Sequence, residues 1–118
     1  MADSRLKQIK IKTGIVKRIA KEKTCYDKEA NEQRVRVQKL KDDNKEEYYI
    51  KKQEEVLQET LMMVPNCQRR LEKAFEELKN ILRDEKDLEN TDEYSLAKKA
   101  LEEAQPLLPN PGELLHFC

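Results

Sequence analysis

The chain has 118 residues, of which 41% are charged and only 37% are hydrophobic. This size allows one domain, and the composition excludes a thick globular core while being typical of long helices and coiled coils. Basic and acidic residues number 24 each, so no net charge attracts the chain to nucleic acid or to an anionic membrane.

The first predicted element is a long helix that begins with a cap at Asp3 or Ser4 and ends near Leu40. Along it, one set of positions steps alternately by three and four residues. We call such a set a seam, because a mean step of about 3.5 residues is typical of helices that pack knobs into holes. The seam positions of this helix are Ile9, Lys12, Val16, Ile19, Lys23, Tyr26, Ala30, Gln33, Val37 and Leu40.

A second long helix is predicted after a break at residues 41–44, where Asn44 and Glu47 have the spacing of a capping box. A connection this short makes the two helices antiparallel neighbours. The seam of the second helix consists of Ile50, Gln53, Leu57, Thr60, Val64, Cys67, Leu71, Ala74, Leu78, Ile81, Glu85 and Leu88.

Pro65 lies inside this second seam. A proline removes a helical hydrogen bond and crowds the preceding turn, which costs roughly 3 kcal/mol. The seam keeps its phase on both sides of Pro65, and this favours a kink within one helix. The alternative is two separate helices that meet at the proline.

The charges are distributed unevenly along the chain. Residues 1–28 contain nine basic and three acidic side chains, whereas residues 72–103 contain six basic and eleven acidic ones. In an antiparallel hairpin these two stretches lie side by side. Their opposite charges therefore favour this alignment over a parallel or slipped one.

Residues 90–93 supply a turn and a helix cap with an acidic partner at the right spacing. A third, shorter helix is predicted after them, and Pro106 ends it. A helix of about 14 residues covers only about 20 Å, so it packs at the open end of the hairpin. The loop end, residues 25–60, is then two helices thick and opens more readily. The seam of the third helix consists of Tyr94, Ala97, Leu101 and Ala104.

The predicted fold is all-α: an elongated three-helix bundle with coiled-coil-like packing. It has two long antiparallel helices, the second kinked at Pro65, and a shorter third helix. We assign residues 1–104 to this three-helix rod and residues 105–118 to a Pro-rich flexible C-terminal tail. The alternative for the tail is that its leucines dock on the thinner part of the rod.

Little in the sequence supports an enzyme. There is no Gly-rich phosphate loop, His-Glu-x-x-His motif or CxxC motif. His116 and Cys118 offer only two metal ligands, which rarely suffice. We predict no catalytic residues, no metal and no cofactor, and we interpret Cys25 and Cys67 as small core residues rather than nucleophiles.

The three cysteines are odd in number and widely spaced, unlike a secreted disulfide framework. No apolar run approaches the roughly 18 residues of a membrane span. The amino terminus interleaves lysine with isoleucine, whereas a signal peptide has a continuous apolar stretch. We therefore expect a soluble, cytoplasmic protein.

A line of lysines on the first helix is one candidate for partner binding. The conservative interpretation is a solvated face that also pairs with acidic residues of the second and third helices, and the alternative is a contact for an acidic partner. Nucleic acid is disfavoured, because no aromatic residues interleave with the lysines. This basic face consists of Lys7, Lys10, Lys17, Lys21 and Lys28, with a gap at Gly14 and with Arg18 beside Lys17.

Two methionines on the second helix form another candidate surface. Met62 and Met63 fall between seam positions and point outward, where adaptable side chains suit an irregular apolar partner. The alternative is that the bend at Pro65 tucks them into gaps. Arg69 and Arg70, one turn further on, are candidate polar neighbours.

Two tyrosines at the start of the second helix are a third candidate. Tyr48 and Tyr49 lie next to the predicted hairpin turn. We interpret such an aromatic pair as structural packing in preference to a contact surface.

Several short stretches of the chain, taken in order, point to one known family. They are QIKIKTG from Gln8, VKR from Val16, KEK from Lys21, IKKQ from Ile50, LQE from Leu57, Met62 with Met63, Pro65, CQRRLE from Cys67 and EKDLE from Glu85. Together they resemble the tubulin-binding cofactor A family over nearly all of residues 1–104. Beyond about Ala104 the resemblance ends.

The resemblance implies a three-helix rod acting as a tubulin-folding chaperone in the cytosol. Such a protein holds β-tubulin released from the chaperonin and passes it toward heterodimer assembly, without nucleotide. β-Tubulin is the implied partner, other tubulin-folding cofactors are compatible with this role, and neither nucleic acid nor membrane is expected. We expect a monomer associated with the cytoskeleton.

The partner-binding hypothesis combines the basic face with the methionine surface. The rival interpretation is a structural coiled-coil adaptor that self-associates along the two-helix-thick end. The residues of the partner-binding hypothesis are Lys7, Lys10, Lys17, Arg18, Lys21, Met62, Met63, Arg69 and Arg70.

Overall fold

The computed structural model describes residues 3–108, and in this range it contains three α-helices and no strand. Helix α1 is Ser4–Asp42, helix α2 is Glu47–Asp84 and helix α3 is Asp92–Ala104. The radius of gyration is 19.4 Å and the longest dimension is 65 Å, whereas a compact domain of this length has a radius of gyration of about 13 Å. The prediction of an elongated all-α fold is therefore confirmed.

Helices α1 and α2 are antiparallel. Near the open end of the hairpin, the Arg5 guanidinium lies 2.8 Å from a Glu85 carboxylate oxygen and 2.9 Å from one of Asp87. Near the loop end, the Lys41 ammonium lies 2.9 Å from the Glu54 carboxylate. The basic start of α1 thus lies beside the acidic end of α2, as the charge distribution predicts.

The predicted seams form the interface between α1 and α2. Every seam position of the two helices is buried or half-buried, and Ile9, Val16, Leu71 and Leu78 are completely inaccessible to solvent. Since a seam of this period buries only one narrow stripe of each helix, the remaining faces stay in water.

Polar seam residues are bonded inside the interface. The Gln33 side-chain amide donates to the Gln53 backbone carbonyl at 3.0 Å and to its side-chain oxygen at 2.9 Å. The buried Lys23 ammonium donates to the Asp27 carboxylate at 2.9 Å. The Lys23–Asp27 pair lies within α1, whereas the Gln33–Gln53 contact crosses the interface. A slip of the two helices would leave the buried Gln33 amide without its partner, so this contact fixes the register.

Capping residues begin two of the helices as predicted. The Asp3 carboxylate accepts a hydrogen bond from the Arg5 backbone N–H at 2.9 Å, and the Thr91 hydroxyl accepts one from the Tyr94 N–H at 3.3 Å. The Arg5 side chain also donates to Asp3, and this hydrogen bond lowers the pKa of Asp3. Such caps satisfy N–H groups that the first helical turn leaves free.

The predicted capping box at Asn44 and Glu47 is wrong. Asn44 has a φ of 53° and ends α1 instead of starting α2. Its N–H donates to the Lys41 carbonyl and the Lys45 N–H donates to the Leu40 carbonyl, both at 3.1 Å. This is the Schellman arrangement, which needs a left-handed residue after the helix, and asparagine tolerates that conformation better than most side chains.

Helix α2 continues through Pro65. The prediction of one helix is confirmed, and the alternative of two separate helices is excluded. Pro65 itself occupies an exposed position of α2, outside the interface with α1.

Helix α3 packs against α1 and α2 at the open end only, as predicted. Small side chains allow the close approach, because Ala97, Ala100 and Ala104 are all buried. The buried Tyr94 hydroxyl donates to the Leu82 backbone carbonyl at 2.9 Å and fastens the start of α3 to the end of α2.

The two ends of the rod differ in burial because α3 covers only one of them. The α2 seam is mostly fully buried from Cys67 onward, whereas Ile50, Leu57 and Val64 are only half-buried. The loop end is therefore two helices thick, in agreement with the sequence analysis.

The segment after α3 begins on the core. A short 3₁₀ turn, Gln105–Leu107, follows α3 directly, and Leu107 and Leu108 are partly buried against the core. Residues 109–118 lie outside the described part of the chain, and a flexible tail there stays a prediction.

Gly14 gives a direct test of the helix energetics. It lies on the exposed side of α1, and a β-carbon added to it meets no atom within 4 Å. Because glycine is about 1 kcal/mol less favourable than alanine inside a helix, we expect Gly14→Ala to stabilise the fold by about that amount and to raise the melting temperature by several degrees.

Thermal unfolding followed by circular dichroism measures this effect. Ala30→Gly, at a buried position of α1, is the opposite change and should lower the melting temperature. An unchanged or lower melting temperature for Gly14→Ala would contradict the account of α1.

Candidate partner-binding surfaces

The basic face of α1 is exposed along its whole length. All of its lysines, and Arg18 beside them, lie in the exposed class. Within residues 3–108, none of these side chains lies within 4.0 Å of a carboxylate oxygen. The predicted solvated face is confirmed, but its predicted pairing with acidic residues of the second and third helices is wrong.

Acidic side chains that join α1 to α2 are paired with cations outside the basic face. Glu77 lies 3.2 Å from the Lys12 ammonium, and Arg70 on α2 reaches back to Glu22 on α1 at 3.1 Å. These pairs bridge α1 and α2, whereas the basic face turns away from α2. The positive charges of that face are therefore left available to a partner.

A groove runs between the basic face and α3. Its first section has a volume of about 300 Å³ and its second section about 270 Å³. Lys17 lines both sections, so they adjoin each other; we call them together the α1–α3 groove. The first section is lined by Lys10, Thr13, Gly14, Lys17, Glu93 and Leu96. The second is lined by Lys17, Ala20, Lys21, Thr24, Ala100, Glu103, Ala104 and Leu107.

Leu96 is a feature of this groove that sequence reasoning missed. It is 54% exposed although it is a large apolar side chain. Leu96 lies between the seam residues Tyr94 and Ala97, so the sequence alone shows a large apolar side chain outside the seam. Its position near Gly14 follows only from the packing of α3 beside α1.

The methionine surface lies further along the rod. Met62 is 72% exposed and Met63 is 36% exposed, so both point outward and the alternative that they fill gaps in the packing is wrong for Met62. Arg70 contacts Glu22 on α1. The methionines precede Arg70 by seven and eight residues, so they lie about 12 Å from it along α2, toward the hairpin turn. The structure therefore does not bring them into the α1–α3 groove.

Arg69 and Arg70 are both exposed, but the Arg70 guanidinium is bonded to other residues of the chain. Besides Glu22, the Arg70 guanidinium donates to the Asn66 side-chain oxygen at 2.9 Å and to the Cys67 Sγ at 3.1 Å. The hydrogen bond to Glu22 raises the pKa of Arg70. These contacts give Arg70 a part in joining α2 to α1.

Tyr48 and Tyr49 are both exposed, at 71% and 49%. The interpretation of this pair as structural packing is wrong, because the short hairpin turn does not fold back over them. The Lys52 ammonium lies 5.7 Å from the Tyr48 ring centroid, which is a cation–π contact at the surface.

The cysteines differ from each other in environment. Cys67 is buried on the seam as predicted, but Cys25 is exposed, so its assignment to the core is wrong. It follows the seam residue Lys23 by two positions, which turns it away from α2. His116 and Cys118 lie outside the described residues.

Two findings concern the described part of the chain alone. Residues 3–108 hold no group of three or more histidine, cysteine, aspartate or glutamate side chains arranged to bind a metal ion. Among the helices in that range, none has a stretch long and apolar enough to cross a bilayer.

Fold and surface together define an elongated three-helix protein whose candidate binding residues, the basic face of α1 and the methionines of α2, lie on its outer faces. A family model described as tubulin binding cofactor A matches residues 4–101. Tubulin-specific chaperone A of Rattus norvegicus is 55% identical over 102 residues, covering 86% of this chain and 94% of that protein. This chain belongs to the tubulin binding cofactor A family, as the resemblance predicted.

More distant relatives and solved structures agree. Tubulin-folding cofactor A of Arabidopsis thaliana is 42% identical over 88 residues, or 75% of each chain. The structure of human tubulin chaperone cofactor A superposes with a TM-score of 0.78 at 50% identity, covering 86% of this chain and 98% of that one. A tubulin-binding cofactor A from Leishmania major, at 22% identity and a TM-score of 0.76, shares the fold.

The environments of Cys25 and Cys67 predict different thiol reactivities. Burial raises the pKa of the Cys67 thiol, and the thiolate is the reactive form. In a Cys118→Ser variant we expect iodoacetamide to modify Cys25 at least about tenfold faster than Cys67 at neutral pH.

Mass spectrometry of the alkylated peptides gives the two rates. Denaturant should make the rates similar, because it removes the difference in access. Equal rates in the native protein would contradict the buried position of Cys67.

Proposed function

We propose that this chain is a non-enzymatic chaperone that binds β-tubulin and holds it after its release from the chaperonin and before heterodimer assembly. The observation that carries the proposal is family membership together with an exposed basic face. Relatives that align over 86% of this chain are named tubulin-specific chaperone A. The match spans 94% of the length of those relatives.

The basic face supports a contact with an acidic surface of β-tubulin. Its lysines and Arg18 have no carboxylate partner within residues 3–108. A partner that brings carboxylates to this face meets charges that no internal ion pair already neutralises. Complementary charge of this kind steers association and orients the partner.

The methionine surface supports an apolar contact to the same partner. Met62, Met63 and the neighbouring Arg69 are exposed on α2. Methionine adapts its shape to an irregular apolar surface, and the arginine stem adds further apolar area. In this proposal the two surfaces bind β-tubulin along the length of the rod.

The proposed setting is the cytoplasm, in association with the cytoskeleton. The protein acts as a monomer without nucleotide, metal or other cofactor. Other tubulin-folding cofactors are further partners, and neither nucleic acid nor membrane is one. The zero net charge supports the exclusion of nucleic acid.

One observation favours a second candidate function, a self-associating coiled-coil adaptor. Val35, Tyr49 and Val56 are exposed apolar side chains at the two-helix-thick end, and a second copy would cover them. Sedimentation over a range of concentrations separates the candidates. A monomer throughout supports the chaperone, and a tight dimer supports the adaptor.

Complex formation tests the proposed function. Purified chain mixed with β-tubulin released from chaperonin should co-elute with β-tubulin in size-exclusion chromatography. Addition of the chain should not increase the rate of ATP hydrolysis in the mixture. Absence of any complex with β-tubulin would overturn the proposal.

Charge reversal tests the role of the basic face. We expect the triple variant Lys10→Glu, Lys17→Glu and Arg18→Glu to weaken the complex at least tenfold, or about 1.4 kcal/mol, because attraction becomes repulsion. Binding is measured by titration at two salt concentrations. Helicity should stay unchanged, since all three side chains are exposed.

A matched triple variant controls for net charge. Lys79→Glu, Lys98→Glu and Lys99→Glu change the charge by the same amount at exposed positions on α2 and α3. Binding should change little in this variant. Equal losses in the two variants, or unchanged affinity in the first, would remove the basic face from the binding site.

A further inference from the structure

The residues that line the α1–α3 groove have the same spacing as a helix-packing seam. On both sides of the groove, the lining residues include a set that steps alternately by three and four residues. Helices pack knobs into holes against stripes of this period, so the spacing suits the groove to one further helix. The set on α1 is Lys10, Thr13, Lys17, Ala20 and Thr24, and the set on α3 and the turn after it is Glu93, Leu96, Ala100, Glu103 and Leu107.

The two sides of the groove run in the same direction. Residues 10–17 of α1 share the first section with residues 93–96 of α3, and residues 17–24 share the second section with residues 100–107. The groove therefore follows about 21 Å of α1, which is the length of a helix of about 14 residues. A helix antiparallel to α1 and α3 would complete the up-and-down order of a four-helix bundle at this end of the rod.

Small side chains along the groove allow an occupant to approach closely. They are Thr13, Gly14 and Ala20 on α1 and Ala100 on α3. A β-carbon added to Gly14 meets no atom within 4 Å, so the packing of the three helices does not require a glycine here. Because the distance between packed helices depends on the side chains at their contact, a helix in this groove can lie near the α1 backbone.

Leu96 gives the groove an apolar contact that the described helices leave uncovered. This side chain is 54% exposed, and it lines the same section as Gly14. An apolar side chain of an occupant, placed over Gly14, would cover Leu96 and remove its exposed area from water.

The two sides of the groove carry opposite charges. Lys10, Lys17 and Lys21 lie on the α1 side, and Glu93 and Glu103 lie on the α3 side. Within residues 3–108, no ion pair within 4.0 Å joins these lysines to these carboxylates. A helix complements both sides if one of its edges is acidic and the other is basic, in the way that flanking charges select partners in coiled coils. A uniformly acidic surface complements the α1 side alone.

We propose that the α1–α3 groove binds one amphipathic helix of the partner protein, about 14 residues long. The apolar stripe of this helix covers Leu96 and the space over Gly14. Its acidic edge lies beside the lysines of the groove, and its basic edge lies beside the glutamates. This inference deepens the proposed function and rests on it, because the partner there is β-tubulin, which would contribute the helix.

Reversing one charge on the α3 side separates this proposal from simple attraction between a basic face and an acidic partner. Attraction alone predicts that Glu103→Lys binds β-tubulin more tightly, because the variant adds positive charge. A helix with its basic edge beside α3 predicts at least threefold weaker binding. Glu102→Lys is the matched control, since Glu102 is the exposed neighbour that lines neither section of the groove. It makes the same charge change and should not weaken the complex.

Filling the groove tests its occupation without changing charge. We expect Gly14→Leu to weaken the complex with β-tubulin at least tenfold, because the added side chain takes the space of the occupant. Leucine is a good helix former, and circular dichroism checks that each variant is folded. Ser95→Leu adds the same side chain at an exposed position of α3 that lines neither section, and its affinity should stay within twofold.

Photo-crosslinking identifies the occupant. Leu96 is replaced by benzoylphenylalanine in the full chain, the complex with β-tubulin is irradiated, and the crosslinked peptides are mapped by mass spectrometry. We expect the crosslinks to fall within one β-tubulin segment of about 14 residues whose apolar positions step by three and four. Crosslinks within one chain, between two copies of it, or scattered over β-tubulin would overturn the proposal.

The binding measurements distinguish failure of this inference from failure of the proposed function. A complex whose affinity is unchanged by Gly14→Leu, or unchanged or increased by Glu103→Lys, overturns the groove as the site and leaves the chaperone function standing. Absence of any complex between the unmodified chain and β-tubulin overturns both.

Discussion

The contact between α1 and α2 depends on a single narrow apolar seam, and every other property of the molecule follows from how that seam is covered. Two helices alone leave the seam partly open at its edges, as Leu57 and Val64 show. Helix α3 covers it at one end, where Leu71 and Leu78 are completely buried. Because hydrophobic stabilisation scales with the apolar area removed from water, most of it is concentrated at this end.

Polar contacts fix the register of the seam, and the register decides which side chains remain free for a partner. Gln33 bonded to Gln53 penalises any slip, because a shifted register would bury both amides without partners. In this register the acidic side chains of α2 meet Arg5 and Lys12 across the hairpin. The basic face is left outside this pairing, so the packing that stabilises the rod also produces its candidate contact surface.

Much of the fold could be predicted from the sequence, because a seam with constant phase is a property of neighbouring residues. Its continuation through Pro65 indicated one helix, and the structure agrees. The errors concern residues whose environment depends on how elements meet. Asn44 ends one helix instead of starting the next, and Cys25 lies outside the core. The α1–α3 groove and the position of Leu96 in it could not be predicted. The spacing of residues within α3 does not show which side of the α1–α2 hairpin this helix packs against.

Hydrogen exchange resolved along the chain tests most directly whether one end of the seam is held by three helices and the other by two. We expect amides in residues 9–19 and 71–82 to be at least about tenfold better protected than those in residues 26–37 and 50–60, a difference of about 1.4 kcal/mol in opening free energy. Uniform protection along both long helices, or stronger protection at the loop end, would contradict this account.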